Sequence, residues 1–225
     1  MEVIVPAAGL STRFPGTVPK YLLTDNNGKI MLHNAIEPYI GKYNVTVGIL
    51  KQHDELYNSG DIIRELGVNV VVLPEVTRGP ADTVYQIINL AQIHIDHSFF
   101  IKDCDSYFDH EVSDGNYICI STVSEHDVLY KIANKSFVIA NEHGIVQSIV
   151  EKSIVSNEFC VGGYKFNRIY DFVSAYEKLI HSMTNEFFVS HIIQYNISNG
   201  KTFLTKKVTE YVDVGTIKEW QEQNV

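Results

Sequence analysis

The first half of this chain alternates between short runs of aliphatic and β-branched residues and longer stretches whose apolar residues recur every three or four positions. Glu2–Pro6, Asn44–Leu50, Asn69–Leu73 and Ser98–Lys102 are the short runs, and they read as buried strands. Met31–Ile40, His53–Leu66 and Ala81–Ile93 lie between them with helical spacing; Val84, Ile87, Ile88 and Ala91 mark one face of the last. Strands that alternate with helices in this way predict a parallel sheet with helices on both faces. Ligands on such sheets bind beyond the carboxyl ends of the strands. Ala7–Lys20 and Asp103–Phe108 both leave carboxyl ends, so they are expected to converge on one crevice.

The second half is patterned differently. Tyr117–Val123, Ser136–Asn141, Ile145–Glu151 and Phe159–Phe166 read as strands, with Asn141-Glu142-His143-Gly144 as a hairpin turn. Arg168–Met183 and Phe188–Ser198 read as helices, and Thr202–Val208 and Glu210–Val214 as short closing strands. No Pro/Gly-rich linker separates the halves. The expectation is one α/β domain over residues 1–225, a Rossmann-like three-layer sandwich with a mixed, mainly parallel central sheet. Its halves should meet near residue 115, with the cleft between them.

Composition narrows the class of ligand. A formal net charge of −9, with no basic tail, disfavours nucleic acid and anionic membrane as partners, because the phosphate field would repel the chain. Nucleotides remain open, since they need only a local positive pocket and a divalent cation. The three cysteines, Cys104, Cys119 and Cys160, are odd in number and widely spaced, which fits a reduced, cytoplasmic setting rather than a disulfide framework. There is no signal-peptide pattern. No apolar run approaches the ~20 residues that span a bilayer.

The most specific segment is Val5-Pro6-Ala7-Ala8-Gly9-Leu10-Ser11-Thr12-Arg13-Phe14, followed by Pro19-Lys20. Small residues after a strand let the backbone approach a bound group, and Arg13 and Lys20 bring two cations to the same place. That suits a triphosphate and the phosphate of a second substrate. The loop is not a Walker A loop, because no Gly-Lys-Ser/Thr follows, nor a dinucleotide fingerprint, because Gly9-Leu10-Ser11 lacks the second glycine. A plain strand-to-helix turn would account for Ala-Ala-Gly but not for Arg13 and Pro19-Lys20 as well.

An apolar strand, then A-A-G-x-S/G-T-R, then P-K resembles the signature of the sugar-phosphate nucleotidyltransferases. The resemblance implies a GT-A-like fold with a nucleotide-binding half and an acceptor half. It implies that Ala7, Ala8, Gly9, Leu10, Ser11 and Thr12 wrap a nucleoside triphosphate. Arg13 would bind its phosphates, and Lys20 a phosphate near the reacting centre. Many members have a glycine where this chain has Ser11.

Asp103 and Asp105 stand at i and i+2 after a strand, where two carboxylates can face the crevice and hold a hard cation; a pair of acids in a turn is the plainer reading. The resemblance implies Asp105 as a Mg²⁺ ligand, with Asp103 behind it or reaching the cation through water. Val212-Asp213-Val214-Gly215-Thr216 resembles the family's late D-x-G-T motif, which implies Asp213 as the second ligand. Thr216 is the better placed residue to cap the helix that follows.

Glu151-Lys152 resembles the family's E-K-P motif, with Ser153 in place of proline, and implies contacts to acceptor hydroxyls and phosphate. A solvated charge pair is the alternative. Gly162-Gly163-Tyr164-Lys165-Phe166 resembles the family's G-x-Y-x-F strand and implies that the acceptor lies against Gly163. In Arg78-Gly79-Pro80-Ala81-Asp82-Thr83, the resemblance implies base and ribose contacts from Gly79, Asp82 and Thr83, while helix capping explains the same residues. Glu186 has no local signature and is left without a role. His94 and His97 lack a ligand pattern and read as structural or surface residues.

The implied reaction is Mg²⁺-dependent transfer of a nucleoside monophosphate from the triphosphate to a phosphorylated small molecule. A sugar-1-phosphate acceptor would give a nucleoside-diphosphate sugar and pyrophosphate, for cell-surface or capsule polysaccharide. Three alternatives stay open: a cytidylyltransferase acting on a phosphomonoester such as phosphocholine, a glycosyltransferase using Asp103-Cys104-Asp105, and a non-catalytic nucleotide-binding module. The glycosyltransferase reading leaves the Ala8–Arg13 loop and Lys20 unexplained. Because the chain ends soon after Asp213, it is expected to lack the C-terminal acyltransferase or β-helix domain of some relatives. A homodimer is compatible with the sequence.

Overall fold

A computed structural model describes residues 1–123 and 133–224. Its first strand, β1 (Glu2–Pro6), is buried on both faces and pairs in parallel with β2 (Asn44–Leu50) on one side and β4 (Phe99–Lys102) on the other. Strand β3 (Asn69–Leu73) extends the parallel edge beyond β2. The second half adds β6 (Tyr117–Thr122), β9 (Glu158–Phe166) and β10 (Leu204–Lys207), giving the order β10-β6-β9-β4-β1-β2-β3. Along that path only β9 runs against its neighbours. A hairpin of β7 (Ser136–Ala140) and β8 (Val146–Glu151) joins through β7 to β9, so one mixed sheet runs through both halves.

Apolar residues alternate across this sheet and fill two cores. Val3, Val5, Val47 and Ile49 face one core with α1 (Met31–Ile36). Ile4, Leu50 and Leu73 face the other, beneath α4 (Pro80–Leu90) and the helices α5 (Ile169–Leu179) and α6 (Val189–Ser198). Burial on both faces is what a strand flanked by crossover helices requires. Gly48 lets α4 settle close to the sheet: a Cβ there would overlap the Ile87 side chain. Among the described residues, no helix is long and apolar enough to cross a membrane. The three cysteines are buried and form no disulfide.

Two predicted helices are interrupted for identifiable reasons. The stretch read as His53–Leu66 is two helices, α2 (Lys51–Tyr57) and α3 (Ser59–Arg64). Asn58 separates them at φ +52, a left-handed conformation that asparagine tolerates better than most residues. Gly60 N–H then bonds Asp54 Oδ1 at 2.7 Å, and a local side chain replaces the helical acceptor. The stretch read as Met31–Ile40 leaves the α-helix at Ile36 and passes into a 3₁₀ turn, Glu37–Tyr39, around Pro38, which has no N–H to continue the ladder.

A pairing that local pattern did not suggest lies off the main sheet. Strand β5 (Ser106–Asp109) forms an antiparallel two-stranded ribbon with β11 (Thr209–Asp213), with Asp213 opposite Ser106 and Val212 opposite Tyr107. The final described helix, α7 (Ile217–Gln223), starts at Thr216, whose hydroxyl accepts from Glu219 N–H at 3.3 Å.

Candidate active site

A cleft of about 760 Å³ opens at the carboxyl ends of β1 and β4. The segment after β1 forms one wall. Ala7 N–H is fixed to Gly48 O at 2.9 Å, which anchors the wall to the neighbouring strand. Ser11 turns the chain at φ +54, the left-handed region that a glycine would occupy without cost. Its hydroxyl compensates by accepting Lys20 N–H at 3.0 Å, closing the two ends of the loop on each other. Phe14 is buried against Met31, Val214 and Trp220, so the loop is also pinned to the segment that carries Asp213.

These anchors aim two cations at one acid. Lys20 Nζ lies 2.5 Å from Asp105 Oδ2, and Arg13 Nη2 lies 3.5 Å from the same oxygen. Asp213 comes from the ribbon, held because Val214 N–H donates to Asp105 O at 3.0 Å. The two acids and Arg13 close around Gly215. A Cβ on that glycine would meet Asp213 Oδ1 at 3.1 Å, Asp105 Oδ2 at 3.3 Å and Arg13 Nη1 at 3.4 Å. Asp213 in turn forms an ion pair with Lys135, which immediately precedes β7 and lines the cleft. Asp103 also lines the cleft but turns toward β9: a Cβ on Gly162 would meet its Oδ2 at 2.6 Å.

The electrostatics follow from this packing. Burial alone would raise the Asp105 carboxyl, but Lys20, Lys135 and Arg13 outweigh it and hold the group well below the usual carboxylate range. Burial works against the Lys20 ammonium too, and Asp105 reverses it, so Lys20 stays charged. At Asp103 the balance reverses: burial and the neighbouring Asp105 charge outweigh Lys102, Lys135 and Lys20 and push it up to about 6. Beneath the turn, Lys102 is fully buried and donates to Asp103 O at 2.7 Å, Ser106 O at 2.6 Å and Ser106 Oγ at 3.0 Å. It thereby fixes the shape of Asp103–Ser106, and burial lowers its own pKa to about 8.

The opposite wall is assembled from separate elements. Glu151 Oε2, at the end of β8, accepts from the Ser136 hydroxyl at 2.5 Å and the Ser190 hydroxyl at 2.7 Å, so β7 and α6 together set its direction. Lys152 follows at φ +53, with Nζ 3.4 Å from Glu186 Oε2 and 4.3 Å over the Phe188 ring. Gly79 stands at φ +138 where a Cβ would strike Phe187 backbone atoms at 2.7 Å, and Ala81 N–H bonds Phe187 O at 3.0 Å. Close backbone packing therefore requires that glycine. Thr83 lines the cleft, its hydroxyl 2.7 Å from that of Thr77.

Three residues named from the sequence do not line this cleft. Asp82 turns under it: its carboxylate accepts from Arg78 N–H at 2.8 Å and from the Tyr176 hydroxyl at 2.7 Å, so capping and core polarity use both oxygens. Gly163 faces the sheet interior, where a Cβ would meet Cys119 and Phe100 at 2.9 Å; Gly162, one position earlier and at φ +87, borders the cleft instead. Asp213 stands beside the cleft through Lys135 and Gly215. Conversely, Lys135, Arg78, Glu186 and Phe188 border it without having been assigned a role from sequence. Lys135 precedes an ordinary apolar strand with no motif around it, and only the folded hairpin brings it to Asp213.

Among the described residues, no three His, Cys, Asp or Glu side chains cluster as a metal site. The fit to a divalent cation rests on the pair Asp105 and Asp213. Their oxygens converge on the Gly215 position, and each is neutralised by an ammonium group that stands in for a cation. An all-oxygen donor pair of this kind suits Mg²⁺, which keeps several waters and takes one or two carboxylates plus phosphate oxygens.

No family model matches the chain, and no curated protein matches it. Solved structures do. The nucleoside-diphosphate-sugar pyrophosphorylase from Vibrio cholerae RC9 is similar over 98% of each chain, at 19% identity and a TM-score of 0.83. The inositol-1-phosphate CTP transferase from T. maritima covers 97% of this chain and 90% of its own, at 19% identity and a TM-score of 0.74. A UDP-glucose pyrophosphorylase complexed with UDP-glucose covers 99% and 96%, at 16% identity and a TM-score of 0.74. The chain therefore has the fold of these nucleotidyl-transferring enzymes, extending over nearly their full length.

Proposed function

We propose that this chain is a nucleotidyltransferase, joining a nucleoside monophosphate from a triphosphate to a phosphorylated small molecule. The observation that carries the reading is the convergence of Arg13, Lys20, Asp105 and Asp213 around Gly215 at the mouth of a glycine- and alanine-lined loop. The substrates named for the similar structures, nucleoside-diphosphate sugars and inositol-1-phosphate with CTP, support the reaction class. A sugar-1-phosphate is the proposed acceptor, and cell-surface polysaccharide the proposed destination. The first half, to about residue 115, would hold the nucleotide, and the second the acceptor.

The acceptor phosphate is anionic at neutral pH, so no strong general base is needed. Its oxygen attacks the α-phosphorus in line and pyrophosphate leaves. The protein's task is to bring two polyanions together and offset the charge that spreads over the phosphoryl oxygens. The Ala7–Thr12 backbone wraps the triphosphate, and Arg13, 56% exposed on its side chain, is free to brace the outer phosphates. Lys20 and Lys152 hold the acceptor phosphate, while Glu151, fixed by two serine hydroxyls, accepts from acceptor hydroxyls. Gly79 and Thr83 border the base and ribose. Asp105 and Asp213 would hold Mg²⁺, which when bound supplies positive charge to the phosphoryl oxygens.

The test is one incubation analysed by mass spectrometry. It contains five nucleoside triphosphates, a pool of sugar-1-phosphates and other phosphomonoesters, Mg²⁺ and pyrophosphatase. A new nucleoside-diphosphate adduct is expected, and its mass narrows base and acceptor. In a parallel incubation supplied with a nucleotide sugar, its EDTA-sensitive loss without any adduct in the first would replace the proposal with glycosyl transfer. Binding of triphosphate with no turnover over the whole pool would replace it with a binding module.

A further inference from the structure

Lys135 has no place in the reaction just described, yet it is bound to one of the two acids at its centre. The inference drawn from it rests on the reading that Asp105 and Asp213 hold the divalent cation. Lys135 O accepts Lys152 N–H at 3.0 Å, so its backbone is fixed by the residue that directly follows β8 and Glu151. Its side chain, 23% exposed, reaches Asp213, which is 15% exposed, and passes 6.0 Å from the Tyr211 ring. A pair this sheltered is weakly screened, unlike an ion pair on the open surface. Lys20 bears the same relation to Asp105. Each acid thus has its own ammonium, one from either wall of the cleft.

The charge count explains why this matters. Four cations, Arg13, Lys20, Lys102 and Lys135, stand among four carboxylates, Asp103, Asp105, Asp213 and Glu219, so the cluster is balanced before any metal arrives. A divalent cation arriving alone would bring uncompensated positive charge into this balanced cluster, and would have to displace the Lys135 ammonium from the carboxylate it binds. A triphosphate changes both conditions, because it brings several negative charges and gives the displaced ammonium a phosphate oxygen to meet. Lys135 lines the same cleft and needs only a side-chain rotation to make that exchange.

We propose that Lys135 is a tethered counter-ion that competes with the divalent cation for Asp213, so that the cation binds this protein together with a nucleoside triphosphate and not before it. Lys135 is a positioning residue in this scheme: it sets the order of binding by occupying Asp213.

The test is Mn²⁺ binding without nucleotide, followed by the loss of the free-ion electron paramagnetic resonance signal. The wild-type chain is expected to bind Mn²⁺ weakly. Lys135→Met should bind it at least about tenfold more tightly, the scale set by removing a competing unit charge at contact distance. Lys135→Gln supplies a second variant of matching shape should the first fold poorly, and Lys135→Arg should behave as the wild type. Adding Asp213→Asn to Lys135→Met should abolish the gain. Tight Mn²⁺ binding by the wild type alone would overturn the proposal, as would a gain that survives Asp213→Asn. Binding of a fluorescent nucleoside triphosphate is measured separately. Its failure would strike the proposed function, while the Mn²⁺ comparison would still decide the role of Lys135.

Discussion

The two walls of the cleft are built on opposite plans. The wall proposed for the triphosphate is one continuous segment, Ala7 to Lys20, anchored by a backbone bond to β2 and by the Ser11 hydroxyl closing on Lys20. The wall proposed for the acceptor has no such segment. Glu151 comes from β8, the hydroxyls that aim it come from β7 and α6, and Gly162 comes from β9. A contiguous wall concentrates its chemistry in few positions, whereas an assembled wall spreads it over contacts that individually matter less. Single substitutions should therefore be graver on the first wall than on the second.

The sharpest test of that contrast is at the charged centre. Arg13→Ala or Asp105→Ala should lower kcat by about two orders of magnitude or more, the usual worth of one charge-stabilising group; the melting temperature should change little in Arg13→Ala, whereas Asp105→Ala, which leaves the sheltered Lys20 ammonium unpaired, should lower it too. Near-normal turnover in either variant would remove that residue from the mechanism. Gly215→Ala comes next. Its new methyl would press on Asp213, Asp105 and Arg13 together, and we expect roughly tenfold weaker Mn²⁺ binding in the presence of nucleotide. Unchanged affinity would show that the three groups yield without cost.

On the assembled wall, replacing Ser136 and Ser190 together by alanine should raise KM for the acceptor by about tenfold while leaving KM for the nucleotide within twofold, because the change frees Glu151 alone. A matching rise in both constants would mean that the walls are not independent. The smallest effect concerns stability and pH. His110 is held neutral by burial and by the Lys206 charge, its pKa lowered to about 4, against about 6.5 unfolded. Between those values the unfolded chain binds the proton that the folded chain refuses, so this contribution to stability is lost as pH falls from about 6.5 toward 4. Asp103, pushed up to about 6, acts in the opposite sense. The measurement is therefore the difference in urea midpoint between wild type and His110→Gln at pH 7 and pH 4.5. That difference should shrink or reverse at the lower pH.

The same contrast explains what could be read from the sequence. The parallel half announced itself through local pattern, and strands β1 to β4 were legible almost to the residue. So was the loop after β1, since its parts are adjacent. What escaped was whatever depends on distant partners. The β5–β11 ribbon joins segments with no common local signal. Lys135 acquires an acid only when its hairpin folds. Gly163 was named where Gly162 borders the cleft, because successive strand residues face opposite sides and a one-position shift reverses the assignment. Asp82 carried a plausible charge at a plausible place, yet Tyr176, from a helix far along the chain, claims it for the interior.

The ribbon carries one more consequence, for the order in which the molecule comes together. The residues it pairs, Ser106 and Asp213, are roughly a hundred positions apart, so closing them costs chain entropy that nearer contacts do not. The parallel edge of the main sheet needs nothing beyond Lys102 and can form while synthesis continues. Asp105 cannot face Asp213 until the chain as far as β11 has left the ribosome. A nascent chain stopped before that point would carry the whole Ala7–Lys20 loop and still lack half of the acidic pair, which makes the proposed competence for metal the last property this protein would acquire.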